Sequence, residues 1–377
     1  MSLIYMDYAA TAPIRPEVLE AVLGVGFGNP SSAYSIGRAS KAALEEAREV
    51  IAHALGAKSR EVSFTSGGTE ANNWAMLSAA RSRRHIGNHI ITSRIEHHSV
   101  LYPCQQLEKE GFSVTYLGVN KEGFIDVREL EEALTDNTIL VSIMLANNEV
   151  GTIMPIQKVS ELTRPRSVLL HTDAVQAFGR IPTDVASLGV DMLTISGHKL
   201  GAPKGVGALY VSADTKIPSL LFGGAQERGR RAGTENVSGI VGLGIAATLA
   251  AKEMPQESPR LASLREELYA SIVAQSPTPI HRNSPAQDCL PHILNISIEG
   301  TESELLLMML DGHGVCASAG AACASGALQA SHVLSAMDLP DQRKISSLRL
   351  SIGHSTTHAH IHSASHIISS VQNANPD

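Results

Sequence analysis

Short runs rich in apolar and β-branched residues recur along the first two thirds of the chain: Glu61–Thr65, His89–Ser93, Ile139–Leu145, Val168–His171, Met192–Ser196 and Ala208–Val211. Stretches of helical periodicity separate them. The clearest is Lys41–Leu55, where Ala43, Leu44, Ala47, Val50, Ile51, Ala54 and Leu55 are spaced for one helix face. Glu70–Arg81, Arg128–Leu134 and Ser238–Ala251 read the same way. Parallel strands need long crossovers, which helices supply, so this alternation predicts an α/β fold: a mainly parallel sheet with helices on both faces.

Near Met254–Pro259 the composition changes to MPQESP, which reads as a linker or domain edge, and Ser276–Pro285 is rich in turn formers. Beyond it come a helix, short strands such as His292–Ile298, another helix and a strand at Ser347–Ile352, an order that suits a separate, smaller α+β domain. A chain of 377 residues has room for both cores. The expected division is 14–255 for the large domain, with 1–13 and 256–377 forming the small one.

Composition narrows the partners. A net charge of -7 gives no basic footprint for nucleic acid or anionic membrane. The start, MSLIYMDYAATAP, lacks a basic n-region and an apolar h-region, and no run approaches the roughly 18 uninterrupted apolar residues of a membrane span, so a cytoplasmic location is expected. The four cysteines, Cys104, Cys289, Cys316 and Cys323, form no CxxC pair, which argues against a disulfide framework or structural zinc.

In an open parallel sheet, ligands bind beyond the carboxyl ends of the strands. Polar residues accumulate at those ends: SGGTEANN (66–73), IEHH (95–98), ANNE (146–149), TDAVQ (172–176) and GHK (197–199). Any one of them taken alone reads as a cap or turn former; together they describe a pocket. The SGGTE turn passes from strand to helix start, where free N–H groups and the helix dipole favour a phosphate. The competing reading is a capped helix with Thr69 as N-cap. Lys199 follows the apolar run DMLTI and precedes LGAPKGVG, so burial and nearby cations should lower its pKa and leave it nucleophilic, as a Schiff-base lysine requires. A phosphate site, such a lysine, an Asp for a pyridinium nitrogen and a His to stack on a ring are the set that binds pyridoxal phosphate.

Read in order, YMDYAATAP, GNPSS, FTSGGTEANN, EHHSV, ANNEVGTI, HTDAVQAFG, SGHKLGAPKGVGALYV, GGAQERGRRAGTENV, SAGAACASG and SLRLSIG resemble the cysteine desulfurases of the NifS/IscS type, within the class V aminotransferases. The resemblance covers nearly the whole chain. It implies the fold type I transferase architecture, whose large domain carries a mainly parallel seven-stranded sheet, and pyridoxal 5'-phosphate as cofactor. It implies that Lys199 forms the Schiff base and shuttles protons, that Asp173 pairs with the pyridinium nitrogen, and that His97 stacks on the ring. Asn148 and Gln176 would hydrogen-bond the substrate-cofactor adduct and the phenolic oxygen. Gly68, Thr69, Ser196 and His198 would hold the phosphate, with Thr234 reaching the phosphate of a neighbouring subunit in a homodimer. Arg349 would clamp the substrate carboxylate.

The resemblance further implies that Cys323 is the nucleophile: its thiolate takes sulfur from L-cysteine, leaving a persulfide and L-alanine. The sulfur would pass to an acceptor protein such as an iron-sulfur scaffold. The small residues of AGAACASGALQ (319–329) are expected to leave that cysteine little packed and mobile, and Cys316 is expected on a buried strand. Two other readings stay open: a selenocysteine lyase or another class V lyase or transaminase, and a subunit that keeps the fold without turnover. His358, His362 and His366 share one helix face, either as a solvated surface or as a metal site.

Overall fold

The computed structural model describes residues 3–319 and 331–373. Its centre is a seven-stranded sheet built from β2 (Val62–Thr65), β3 (His89–Ser93), β4 (Ser113–Leu117), β5 (Thr138–Ser142), β6 (Leu169–Asp173), β7 (Met192–Ser196) and β8 (Gly207–Val211), in the order β2-β8-β7-β6-β5-β3-β4. Only β8 runs against its neighbours. The loop from Ser196 to Gly207 is too short for a crossover helix, so β8 returns antiparallel to β7. Strands β5 to β8 are buried along their full length, which is why they read as apolar runs.

Strand β4 is missing from the sequence expectation. It lies at the sheet edge, and SVTYL is partly exposed over most of its length, so it carries no apolar run to recognise.

Strand β1 (Ile4–Tyr5) pairs with β11 (Val315–Cys316), and β9 (Ile280–Arg282), β10 (Ile293–Ile298) and β12 (Ser347–Ser351) form an antiparallel sheet in the order β12-β10-β9. Ile4 and Met6 share one apolar cluster with Leu264, Leu268, Leu294, Leu310 and Leu350, so the N-terminal segment packs with the C-terminal third of the chain.

MPQESP is not a linker. A single helix, Val237–Gln275, runs through Pro255 and Pro259 and serves both cores. Its first half buries Ile240, Leu243 and Ala247 under the large sheet, and its second half buries Leu261, Leu264, Leu268 and Ile272 in the smaller cluster. By length and composition it could cross a membrane, an 18-residue stretch of it reaching a mean hydropathy of 1.3, yet these apolar faces pack into the protein's own interior. At Gly244 an added Cβ would lie 2.9 Å from that of Ala47, a closeness that seats this helix against Ser35–Ala54.

The edge strand β2 is closed by a buried ion pair. Arg48 donates to both oxygens of Glu227, at 2.6 and 2.8 Å, and Glu227 accepts the backbone N–H of Phe64 at 2.8 Å. Two charges that are each 2% exposed at the side chain thereby satisfy one another and the open strand edge.

Candidate active site

The carboxyl ends of β2, β3, β5, β6 and β7 open into a cavity of about 270 Å³, which the N-terminal turn at Ala9 and Ala10 and Arg349 of β12 complete. Gly68, Thr69, His97, Asn148, Asp173, Gln176, Ser196, His198, Lys199 and Arg349 all line it. Thr234 does not: it is exposed and apart from this cavity. Cys323 lies outside the described residues.

Lys199 sits just beyond β7 and donates Nζ to Ala9 O at 2.6 Å and Ala10 O at 2.7 Å. Burial, reinforced by the Arg349 charge, lowers its pKa to about 8, against the opposing pull of Asp7 and Asp173. The neutral amine is thereby far more accessible near physiological pH than that of an ordinary lysine, though the ammonium form remains the larger share.

Asp173 ends β6 and is held from two sides. Asn72 Nδ2 donates to Oδ2 at 2.6 Å and Val175 N donates to Oδ1 at 2.9 Å. The same Asn72 amide donates to Ser99 Oγ at 2.8 Å.

His97 caps the helix His98–Lys109: its Nδ1 accepts the N–H of Ser99 at 3.1 Å and lies 2.7 Å from Ser99 Oγ. An Nδ1 that accepts carries no proton, so the neutral ring bears its hydrogen on Nε2. The side chain keeps an open face while protein surrounds the rest, and desolvation lowers its pKa. His198 is likewise pushed down, to about 4, first by burial and then by the charges of Lys199 and Lys204.

The turn before the helix Gly68–Asn73 shows why SGGTE carries its glycines. A Cβ on Gly68 would lie 2.7 Å from Val175 Cγ2 and intrude on the cavity wall. The residue capping this helix is Gly67, without a side-chain bond, so Thr69 is not an N-cap and faces the cavity instead. The free N–H groups of a helix start, with Thr69, Ser196 and His198, make a donor set suited to an anion.

Arg349, 2% exposed, donates Nη1 to Asn148 O at 3.0 Å and Nη2 to Asp7 Oδ1 at 2.9 Å. Both flanks of the segment carrying Cys323 are anchored near it. Ser318 pairs with Arg349 through two backbone hydrogen bonds, and Ala319 O accepts from Ser347 Oγ. On the far side Ser331 Oγ donates to Glu149 Oε2 at 2.5 Å, one residue from the Asn148 carbonyl that Arg349 grips.

Asn72, Ser99, Asp7 and the carbonyls of Ala9 and Ala10 are not among the residues expected from the sequence. Asp7 and Asn72 stand inside YMDYAATAP and FTSGGTEANN, so their positions are visible there; a backbone carbonyl leaves no trace in residue type.

A family model described as Aminotransferase class-V matches residues 4–363. The chain belongs to the class V aminotransferase family. A cysteine desulfurase IscS of Clostridium botulinum is 49% identical over 359 residues, covering 94% of this chain and 90% of the relative. A NifS-like protein of known structure superposes with a TM-score of 0.93 at 34% identity, covering 99% of this chain and 100% of that one. The structure of SspA in complex with cysteine gives a TM-score of 0.82 at 36% identity, over 92% and 98% of the two chains. The sheet and its flanking helices are those of the fold type I transferases, to which the class V aminotransferases belong.

Two of the remaining cysteines and the histidine cluster have local explanations. Cys104 is buried, and desolvation raises its thiol well above the usual range. Cys316 is on a strand, but half-buried rather than buried, because β11 is a two-residue edge element. His358 and His362 both pair with Glu267, at 2.7 and 3.3 Å, and no three His, Cys, Asp or Glu side chains converge among the described residues.

Proposed function

We infer that this protein is a cysteine desulfurase that uses pyridoxal 5'-phosphate to convert L-cysteine to L-alanine and leaves the sulfur on Cys323. The observation that carries the reading is the convergence of Lys199, Asp173, His97 and Arg349 on one cavity. The cofactor fits the residues present: a glycine-floored anion cradle, a buried lysine of lowered pKa, and a carboxylate fixed by two donors. Its chemistry, when bound, is to draw off the negative charge that develops at the substrate Cα.

The chain's own residues supply the rest. Gly68, Thr69, Ser196 and His198 would hold the phosphate, with Thr234 reaching a neighbouring subunit's site in a homodimer. Asp173, immobilised by Asn72, offers a fixed anion to a protonated ring nitrogen. His97, neutral and oriented by Ser99, is placed for stacking and proton transfer, while Asn148 and Gln176 line the same wall. Lys199 is positioned to take and return protons, and Arg349 offers the guanidinium fork a carboxylate needs.

In the transfer itself the Cys323 thiolate attacks the substrate sulfur, the carbon–sulfur bond breaks with its electron pair passing to carbon, and protonation there yields L-alanine beside an enzyme persulfide. An acceptor protein of the iron-sulfur scaffold type would then take the sulfur, in the cytoplasm. Absorbance of the purified protein tests the cofactor. The wild type incubated with pyridoxal phosphate is expected to turn yellow and Lys199→Ala is not; a colourless wild type would overturn the reading.

A further inference from the structure

An arginine that must grip a carboxylate does so more tightly when its fork is fixed beforehand, because ordering a long side chain on binding costs entropy. Arg349 is fixed by two acceptors, Asn148 O and the carboxylate of Asp7. They engage one nitrogen each, Nη1 and Nη2. A guanidinium has five N–H bonds, so the fork is oriented without being used up.

Asp7 is itself braced. Its carbonyl accepts from Ala10 N at 3.0 Å, Thr11 N at 3.3 Å and Tyr5 Oη at 3.1 Å, and its backbone pairs with Ser351, two residues along β12 from Arg349. The turn that it closes presents Ala9 O to Gln176 Nε2 at 2.9 Å and to Lys199. One short segment therefore touches the lysine, the glutamine and the arginine of the cavity, and Asp7 supplies its side-chain hydrogen bond to the arginine.

We propose that Asp7 is a positioning residue for substrate recognition: it holds Nη2 of Arg349 so that the rest of the fork faces the carboxylate of the amino-acid substrate. The proposal rests on the reading of Arg349 as the carboxylate clamp. Asp7 is placed to act on the substrate through the arginine; its charge also opposes the lowering of the Lys199 pKa, so the carboxylate-dependent preference is the readout that isolates its role at the arginine.

The test is the binding of L-alanine and of L-alaninamide, which lacks the anionic carboxylate, to the cofactor-loaded protein by titration calorimetry. Wild type should prefer L-alanine. Asp7→Ala should weaken L-alanine binding roughly tenfold, the scale of one charge-assisted hydrogen bond, and leave alaninamide nearly unaffected, so that the preference collapses. For turnover of L-cysteine the same variant should raise KM more than it lowers kcat. Asp7→Asn keeps an acceptor oxygen and should fall between the two. An Asp7→Ala protein that keeps the full preference while Arg349→Lys loses it would overturn the proposal, as would a lowered Tm with the preference intact. If Arg349→Lys also keeps the preference, the clamp reading itself fails.

Discussion

Asn72 gives one amide hydrogen to Asp173 and the other to Ser99, at 2.6 and 2.8 Å, and so ties the carboxylate at the end of β6 to the residue that orients His97. Two groups from different strands are thereby set by one side chain on the helix after β2. Asn72→Ala would strand a buried carboxylate oxygen, at a cost of about 1–3 kcal/mol. That corresponds to a loss of roughly five- to 150-fold if it falls on the transition state. Steady-state kinetics with L-cysteine should show this loss in kcat/KM, and a variant at wild-type activity would mean that Asp173 and His97 are set without Asn72.

Glu96 carries a pH dependence. It is wholly buried beside His97; its Oε1 accepts from Ser93 Oγ and Met144 N, and its Oε2 has no partner. Burial raises its pKa from 4.5 to about 8. Between those values the folded protein keeps a proton that the unfolded chain has released, so this group's contribution is greatest below pH 4.5, falls as pH rises, and levels off above about 8. Urea unfolding at pH 5 and pH 8 should show a smaller decline for Glu96→Gln than for wild type. Equal declines would mean that Glu96 is already ionised in the fold.

Breaking the Arg48–Glu227 pair should cost far more than breaking a surface ion pair. Arg48→Met leaves Glu227 buried without its cation, a change expected to destabilise by about 3–5 kcal/mol. Arg128→Met, which breaks an exposed pair with Asp126, should leave the unfolding midpoint almost where it is in the wild type. Denaturant unfolding of the two variants makes the comparison, and similar midpoints would contradict it.

Much of the site is legible in the amino-acid sequence. Asp173, Ser196 and Lys199 announce themselves because each ends or follows a fully buried strand, where a polar residue in an apolar run has few reasons to stand. Periodicity fails where the environment is mixed. Strand β4 is half-exposed at an edge, and the helix Val237–Gln275 buries no residue between Ala247 and Leu261 as it passes from one core to the other, so its prolines read as a boundary. Asp7 and Asn72 are in plain view, but their roles depend on a neighbour far along the chain, and no local spacing encodes that partner.

The fate of the substrate's sulfur decides the mechanism. A single turnover of cofactor-loaded protein with L-cysteine, followed by peptide mass spectrometry without reductant, should find one added sulfur atom on Cys323 and an equivalent of L-alanine. Cys323→Ala should show neither the persulfide nor sustained alanine release. Equal alanine production by that variant, or sulfur on another cysteine, would contradict the mechanism.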